Sequence, residues 1–182
     1  MKVYLMLADG FEEVEALTPL DLLRRAGVDV KTVGLKKKTV TGSHGIPVVC
    51  DTTTADAPIE EADAVILPGG LPGTTHLDES DFVDRLLARV NEKGGHLAAI
   101  CAAPSVLGKR GYLKNKKAVC YPGFEPALIG AKVQDTAVVT DGNVTTGRGM
   151  GVSFAFGREL LRVFCGEEVA EKIAASTQAN YQ

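Results

Sequence analysis

Short apolar runs, each cut off by glycine, proline or cysteine and followed by helical spacing, recur from one end of this chain to the other. Val3 to Leu7 stops at Asp9-Gly10, and Val14 to Ala26 then spaces Leu17, Leu20 and Leu23 along one helix face before Gly27. Val28 to Val33 alternates with the period of a strand. Ala64 to Leu67 is a short buried strand before Pro68-Gly69-Gly70, and Ser80 to Asn91 places Phe82, Leu86, Leu87 and Val90 on a helix face. Leu97 to Ile100 is a strand feeding Cys101. Beyond it, Ala118 to Cys120, Ala137 to Val139 and Val144 to Thr146 read as strands, and Val152 to Phe164 and Glu167 to Ala175 as helices on either side of Gly166. Thr39 to Thr53, with Gly42, Gly45 and Pro47 among β-branched residues, suits a hairpin excursion. Such alternation predicts an α/β fold in which helices cover both faces of a mostly parallel sheet. Sites in such sheets lie beyond the carboxyl ends of the strands. Asp9-Gly10, Pro68-Gly69-Gly70, Cys101 and Gly147-Arg148-Gly149 each follow a strand and can therefore converge on one crevice.

At His96 to Leu107 the alternation is sharpest. An apolar strand ends in Cys101, two alanines and Pro104 follow, and a helix begins. Proline suits a first helical turn, where its missing N–H costs nothing. A thiol at that turn faces the positive end of the helix, which favours thiolate and predicts a pKa well below that of a free cysteine. The geometry is that of a nucleophile elbow with cysteine in place of serine. The alternative for a lone cysteine is a small buried hydrophobe.

Length and composition narrow the classes. A chain of 182 residues is expected to form a single domain over 1–182, with a core that needs no staples. A net charge of −3, without long runs of either sign, does not suggest a nucleic-acid partner, and Lys36-Lys37-Lys38 reads as a solvated turn. Cys50, Cys101, Cys120 and Cys165 are widely spaced, with no CxxC, so neither a metal site nor a disulfide framework is expected. No apolar run has the length of a signal peptide or a membrane span, and a cytoplasmic location is the expectation.

Glu12, Glu13 and Glu15 stand at the start of the first helix. Dipole compensation accounts for the first two. Glu15 enters the apolar run, where burial raises a carboxyl pKa and can keep it protonated, able to donate to a thiolate. Pro68-Gly69-Gly70 is by itself a plain turn. After an apolar strand, Gly69 and Gly70 can turn backbone N–H groups into the crevice, and Gly70 with Ala102 would make a two-donor oxyanion hole.

Together these residues resemble the ThiJ/PfpI superfamily, in the branch of the Parkinsonism-associated deglycase. The motifs are Ala8-Asp9-Gly10-Phe11-Glu12-Glu13-Val14-Glu15, Asp21 to Gly27, Leu67-Pro68-Gly69-Gly70, Ala98 to Pro104 and Thr146 to Gly151, in family order over nearly the whole chain. The resemblance implies a flavodoxin-like three-layer sandwich and a homodimer. It also implies Cys101 as a readily oxidised nucleophile, Glu15 as the protonated acid at its sulfur, and Gly70 and Ala102 as N–H donors. Activities implied include conversion of glyoxal or methylglyoxal to hydroxy acids without a cofactor, protein deglycation, peptidase action and redox-regulated chaperoning. One departure matters. Active members of this branch carry a histidine well after the cysteine, where this chain reads Cys120-Tyr121-Pro122-Gly123-Phe124-Glu125. His44, His76 and His96 all precede Cys101, so a Cys–His triad is unsupported and peptidase action is not expected. His96 should sit at the far end of its strand. His76 follows the glycine turn, and His44 lies in a hairpin that packs at the dimer interface in relatives and could reach the partner's crevice. Cys50 reads as a buried hydrophobe, and Cys120 and Cys165 as core residues. The expectation is a cysteine-dependent conversion of 2-oxoaldehydes to 2-hydroxy acids in carbonyl or oxidative stress. The rival is a non-enzymatic redox sensor or chaperone acting through Cys101 oxidation.

Overall fold

A computed structural model describes residues 1–179. In chain order the elements begin with β1 (Lys2–Leu7), α1 (Glu13–Arg25), β2 (Asp29–Gly34), β3 (Thr39–Thr41), β4 (Pro47–Val49), β5 (Thr52–Thr53) and β6 (Ala64–Leu67). They continue with α2 (Gly73–Asp78), α3 (Asp81–Glu92), β7 (His96–Ile100), α4 (Pro104–Lys109), β8 (Lys117–Ala118) and β9 (Lys132–Val133). Last come β10 (Val138–Asp141), β11 (Val144–Gly147), α5 (Ser153–Cys165) and α6 (Glu167–Ser176).

Seven strands form one sheet in the order β10-β11-β7-β6-β1-β2-β5, parallel throughout except for β10, which closes one edge antiparallel. Because side chains alternate along a strand, each strand feeds two separate cores. Tyr4, Met6, Val65, Leu67, Leu97 and Ala99 pack on one face beneath α3 and α4. Val3, Leu5, Leu7, Ile66, Ala98 and Ile100 pack on the other beneath α1 and α5. This is the three-layer arrangement the alternation predicts. Apolar continuity in β1, β6 and β7 follows from burial on both faces.

Differences from the sequence pattern are local. The 39–53 excursion is a hairpin of β3 and β4, but its tail, β5, rejoins the main sheet beside β2. The strand expected at Ala118 to Cys120 is shorter and shifted. β8 pairs only with β9, outside the main sheet. Helix α2 has no apolar periodicity to announce it, since Gly73-Thr74-Thr75-His76 follows the glycine turn directly.

His96 opens β7, at the opposite end of that strand from Cys101. It is buried, its Nε2 lies 2.8 Å from Thr145 Oγ1, and its ring meets Phe164 edge-on. Burial lowers its pKa from 6.5 to about 4. The unfolded chain therefore binds the extra proton first, and stability falls as pH drops from about 6.5 toward 4. The full effect is on the order of 3 kcal/mol. Denaturation at pH 7 and pH 4.5 should show this loss, and His96→Asn should reduce it; an equal loss in both proteins would remove His96 as its cause.

Candidate active site

β1, β6, β7 and β11 all end on the same side of the sheet, and the loops after them meet there. Cys101 follows β7 with φ at 65°, the left-handed region that side chains seldom adopt. The turn is fixed on both sides. Cys101 N–H donates to the Gly147 carbonyl at the end of β11 (2.9 Å), and Tyr121 N–H donates to the Cys101 carbonyl (2.8 Å). Pro104 begins α4, so the strand–turn–helix order is as read from the sequence.

Glu15 reaches this turn from the first part of α1 and is fully buried. Its Oε2 accepts the Gly69 N–H at 2.9 Å. Its Oε1 is buried with no conventional partner, and the carboxyl hydrogen-bonds with the Cys101 thiol. Gly69 is glycine because of close approach rather than backbone conformation. A Cβ there would lie 2.7 Å from both Cys101 Cβ and Glu15 Oε2. Gly70, at φ +86°, would drive a Cβ into the backbone of Glu12. The N–H groups of Gly70 and Ala102 point at the Cys101 sulfur, whereas that of Gly69 is taken up by Glu15. Cys101, Glu15, Gly69, Gly70 and Ala102 are thus brought together, with Gly69 holding the acid rather than facing an oxyanion.

The electrostatics correct one expectation. Burial lifts the Glu15 carboxyl to about 7. Burial first, then the charge of Glu15, pushes the Cys101 thiol up to about 12, against the pull of the Ala102 and Gly70 N–H groups. The thiol is therefore raised, not lowered. The reason lies in local structure. α4 has only six residues, so its end charge is small, and burial of the sulfur, with the Glu15 charge added, outweighs it. Above about pH 7 the pair carries one negative charge and retains one proton between carboxyl and sulfur.

None of the histidines is bonded to Cys101. His76 Nδ1 lies 3.0 Å from the Asp9 carbonyl oxygen. His44 Nδ1 lies 3.0 Å from Glu13 Oε2 of the same chain. Glu13 stands in the first turn of α1, as helix-dipole compensation expects, but it does more than that. It is buried, and its Oε1 accepts the N–H of His44 at 2.8 Å. Cys50 and Cys120 are buried and Cys165 is partly exposed, so the expectation of a core residue fails for Cys165. Sequence reasoning passed over Tyr121. It is half-exposed, bonded through its backbone to Cys101, and its ring edges Gly149. Its position in the segment lacking histidine was the available signal.

Comparison with known proteins gives this chain its relatives. Residues 1–163 match the model of the DJ-1/PfpI family. Protein dj-1beta of Drosophila melanogaster is 37% identical over 179 residues, covering 97% of this chain and 96% of that protein. Deglycase PH1704 of Pyrococcus horikoshii is 34% identical over 166 residues, covering 90% of this chain and 99% of the relative. The structure of oxidized Toxoplasma gondii DJ-1 superposes with a TM-score of 0.94 at 32% identity, covering 99% of both chains.

Proposed function

Since the chain belongs to the DJ-1/PfpI family, we propose that it acts on small reactive carbonyl compounds through Cys101, as a deglycase-like or glyoxalase III-like enzyme. The observation that carries this reading is the pairing of Cys101 with a fully buried Glu15, whose Oε1 has no conventional hydrogen-bond partner among the described residues. A carboxyl near 7 beside a raised thiol suits a general base. As the sulfur attacks the aldehyde carbon of a 2-oxoaldehyde, Glu15 takes the thiol proton and returns it to the carbonyl oxygen, giving a hemithioacetal. The carboxylate then removes the hydrogen on the former aldehyde carbon as a proton, giving an enediolate, and returns it to the former ketone carbon, while the hemithioacetal hydroxyl proton passes to the former ketone oxygen. The N–H groups of Gly70 and Ala102 hold the oxygen that becomes negative. One carbon is oxidised to a thioester while its neighbour is reduced to an alcohol, so no cofactor is required. Water then cleaves the thioester to a 2-hydroxy acid and frees the thiol.

The same reading takes the protein as a homodimer in the cytoplasm, serving carbonyl stress, with no nucleic-acid or membrane partner. Among the described residues, no helix is long and apolar enough to cross a membrane. A second reading, a redox sensor or chaperone, is favoured by the absence of any histidine bonded to Cys101 and by the oxidized state of the Toxoplasma relative. A methylglyoxal consumption assay separates the two. Enzymatic action gives lactate in the wild type and none in Cys101→Ser. No turnover in either protein, with peroxide adding oxygen to Cys101 before Cys50 or Cys120, supports the sensor.

A further inference from the structure

A second cluster of chemically capable side chains lies where the β3–β4 hairpin crosses the start of α1. His44 Nδ1 is 3.0 Å from Glu13 Oε2 and 3.6 Å from Glu12 Oε1. Ser43 Oγ is 3.1 Å from that nitrogen, 3.2 Å from Glu12 Oε2 and 3.4 Å from Glu13 Oε2. His44 Nδ1 and Ser43 Oγ thus each lie 3.0 to 3.6 Å from both carboxylates, and one ligand atom from each of Glu12, Glu13 and His44 lies within 4.8 Å of the others. Bonds of 2.0–2.2 Å to a tetrahedral Zn²⁺ place its ligands roughly 3.3–3.6 Å apart, close to the separations of His44 Nδ1 and Ser43 Oγ from each carboxylate.

Charge gives an independent argument. Among the described residues, neither Glu12 nor Glu13 is ion-paired with a lysine or arginine, and His44 is their one basic partner. Two carboxylates beside one imidazole leave the cluster negative even with His44 protonated. Glu13 is also buried and held ionised at about 2, its far oxygen fixed by the N–H groups of His44 at 2.8 Å and Ile46 at 3.4 Å. Outer hydrogen bonds of this kind orient metal-ligating carboxylates. His44, by contrast, is exposed in the single chain, which leaves its imidazole open to an ion there.

We propose that Glu12, Glu13 and His44, with Ser43 or water as the fourth ligand, form a binding site for a divalent cation of the zinc type. An imidazole and so few, closely spaced oxygens suit Zn²⁺ better than Ca²⁺ or Mg²⁺, which take six or more oxygens. Binding displaces the proton between His44 Nδ1 and Glu13, so the ion takes the place of a hydrogen bond without moving the hairpin. The site shares no side chain with the Cys101–Glu15 pair, although the charge of Glu12 is felt at Glu15, and it stands whether or not the chain turns over aldehydes.

The test is calorimetric titration of the full chain with zinc chloride, in a Cys101→Ser background so that the reactive sulfur cannot compete. One Zn²⁺ per chain is expected, with binding weakened at least ~10-fold in Cys101→Ser/His44→Gln. His44 is an exposed loop residue, so this variant keeps the fold, and its circular dichroism should be unchanged. Cobalt chloride should give the strong visible absorption of a tetrahedral ion in the first protein and lose it in the second. Equal zinc affinity in both proteins, no binding in either, or tighter binding of magnesium chloride than of zinc chloride would each overturn the proposal.

Discussion

Glu15→Gln should slow the reaction of Cys101 with electrophiles at pH 8 on the order of 10²-fold and remove the inflection near pH 7. In the wild type, reactivity rises as Glu15 loses its proton, because only the carboxylate can accept the thiol proton. The sign follows from a carboxyl raised to about 7: below that pH both groups are protonated, and above it a base stands beside the sulfur. Glutamine can still donate a hydrogen bond but cannot take a proton. It also removes the negative charge that helps hold the thiol up, so the variant should show a single, later rise that begins below pH 12. Iodoacetamide alkylation followed across pH reads both effects without relying on turnover. A Glu15→Gln profile that keeps its rise near pH 7 would show that another group supplies the base.

Gly69→Ala attacks the same pair by steric means. The added methyl would sit 2.7 Å from Cys101 Cβ and Glu15 Oε2 and 3.0 Å from the Ile100 carbonyl oxygen, too close for any of them. Since β7 and α1 are fixed by their cores, relief must come from separating the carboxyl and the sulfur. Overpacking of this kind costs about 1–3 kcal/mol in stability, and displacement of the pair by even 1 Å costs roughly 10² in rate. Gly151→Ala is the matched control, because its Cβ meets nothing within 4 Å. Thermal denaturation and alkylation rates of the two variants should diverge sharply. Similar rates would mean that the carboxyl–sulfur contact is not what makes Cys101 reactive.

Features with local causes were legible in the sequence. β6 was readable because Ala64 to Leu67 is apolar throughout and is cut off by Pro68-Gly69-Gly70. The turn at Cys101 was readable because proline and small residues follow an apolar strand, and the burial of Glu15 because it interrupts an apolar helix face. What escaped depends on distant partners. Glu13 is buried by Gly42 to Ile46, about thirty residues downstream, and nothing in its own neighbourhood distinguishes it from Glu12. A Cβ on Gly42 would collide with that carboxylate, so the glycine and the acid explain each other only once the hairpin has folded back. The direction of the thiol shift escaped for a related reason. The helix that would lower it is visible in sequence, but its short length and the depth of the opposing carboxyl are not. His44 was read as able to reach a partner's crevice, and within the chain its contacts are to its own α1.

The left-handed backbone at Cys101 sets two selective demands against each other. A residue with a side chain held at φ 65° carries a conformational penalty of about 1–2 kcal/mol that glycine would avoid. Drift toward a more stable fold would therefore favour glycine at this position, and only a requirement for the sulfur can resist it. Stability engineering that ranks substitutions by fold alone would score the loss of Cys101 as an improvement. A cysteine at this turn is in that sense a cost to the fold, carried for the chemistry of its thiol.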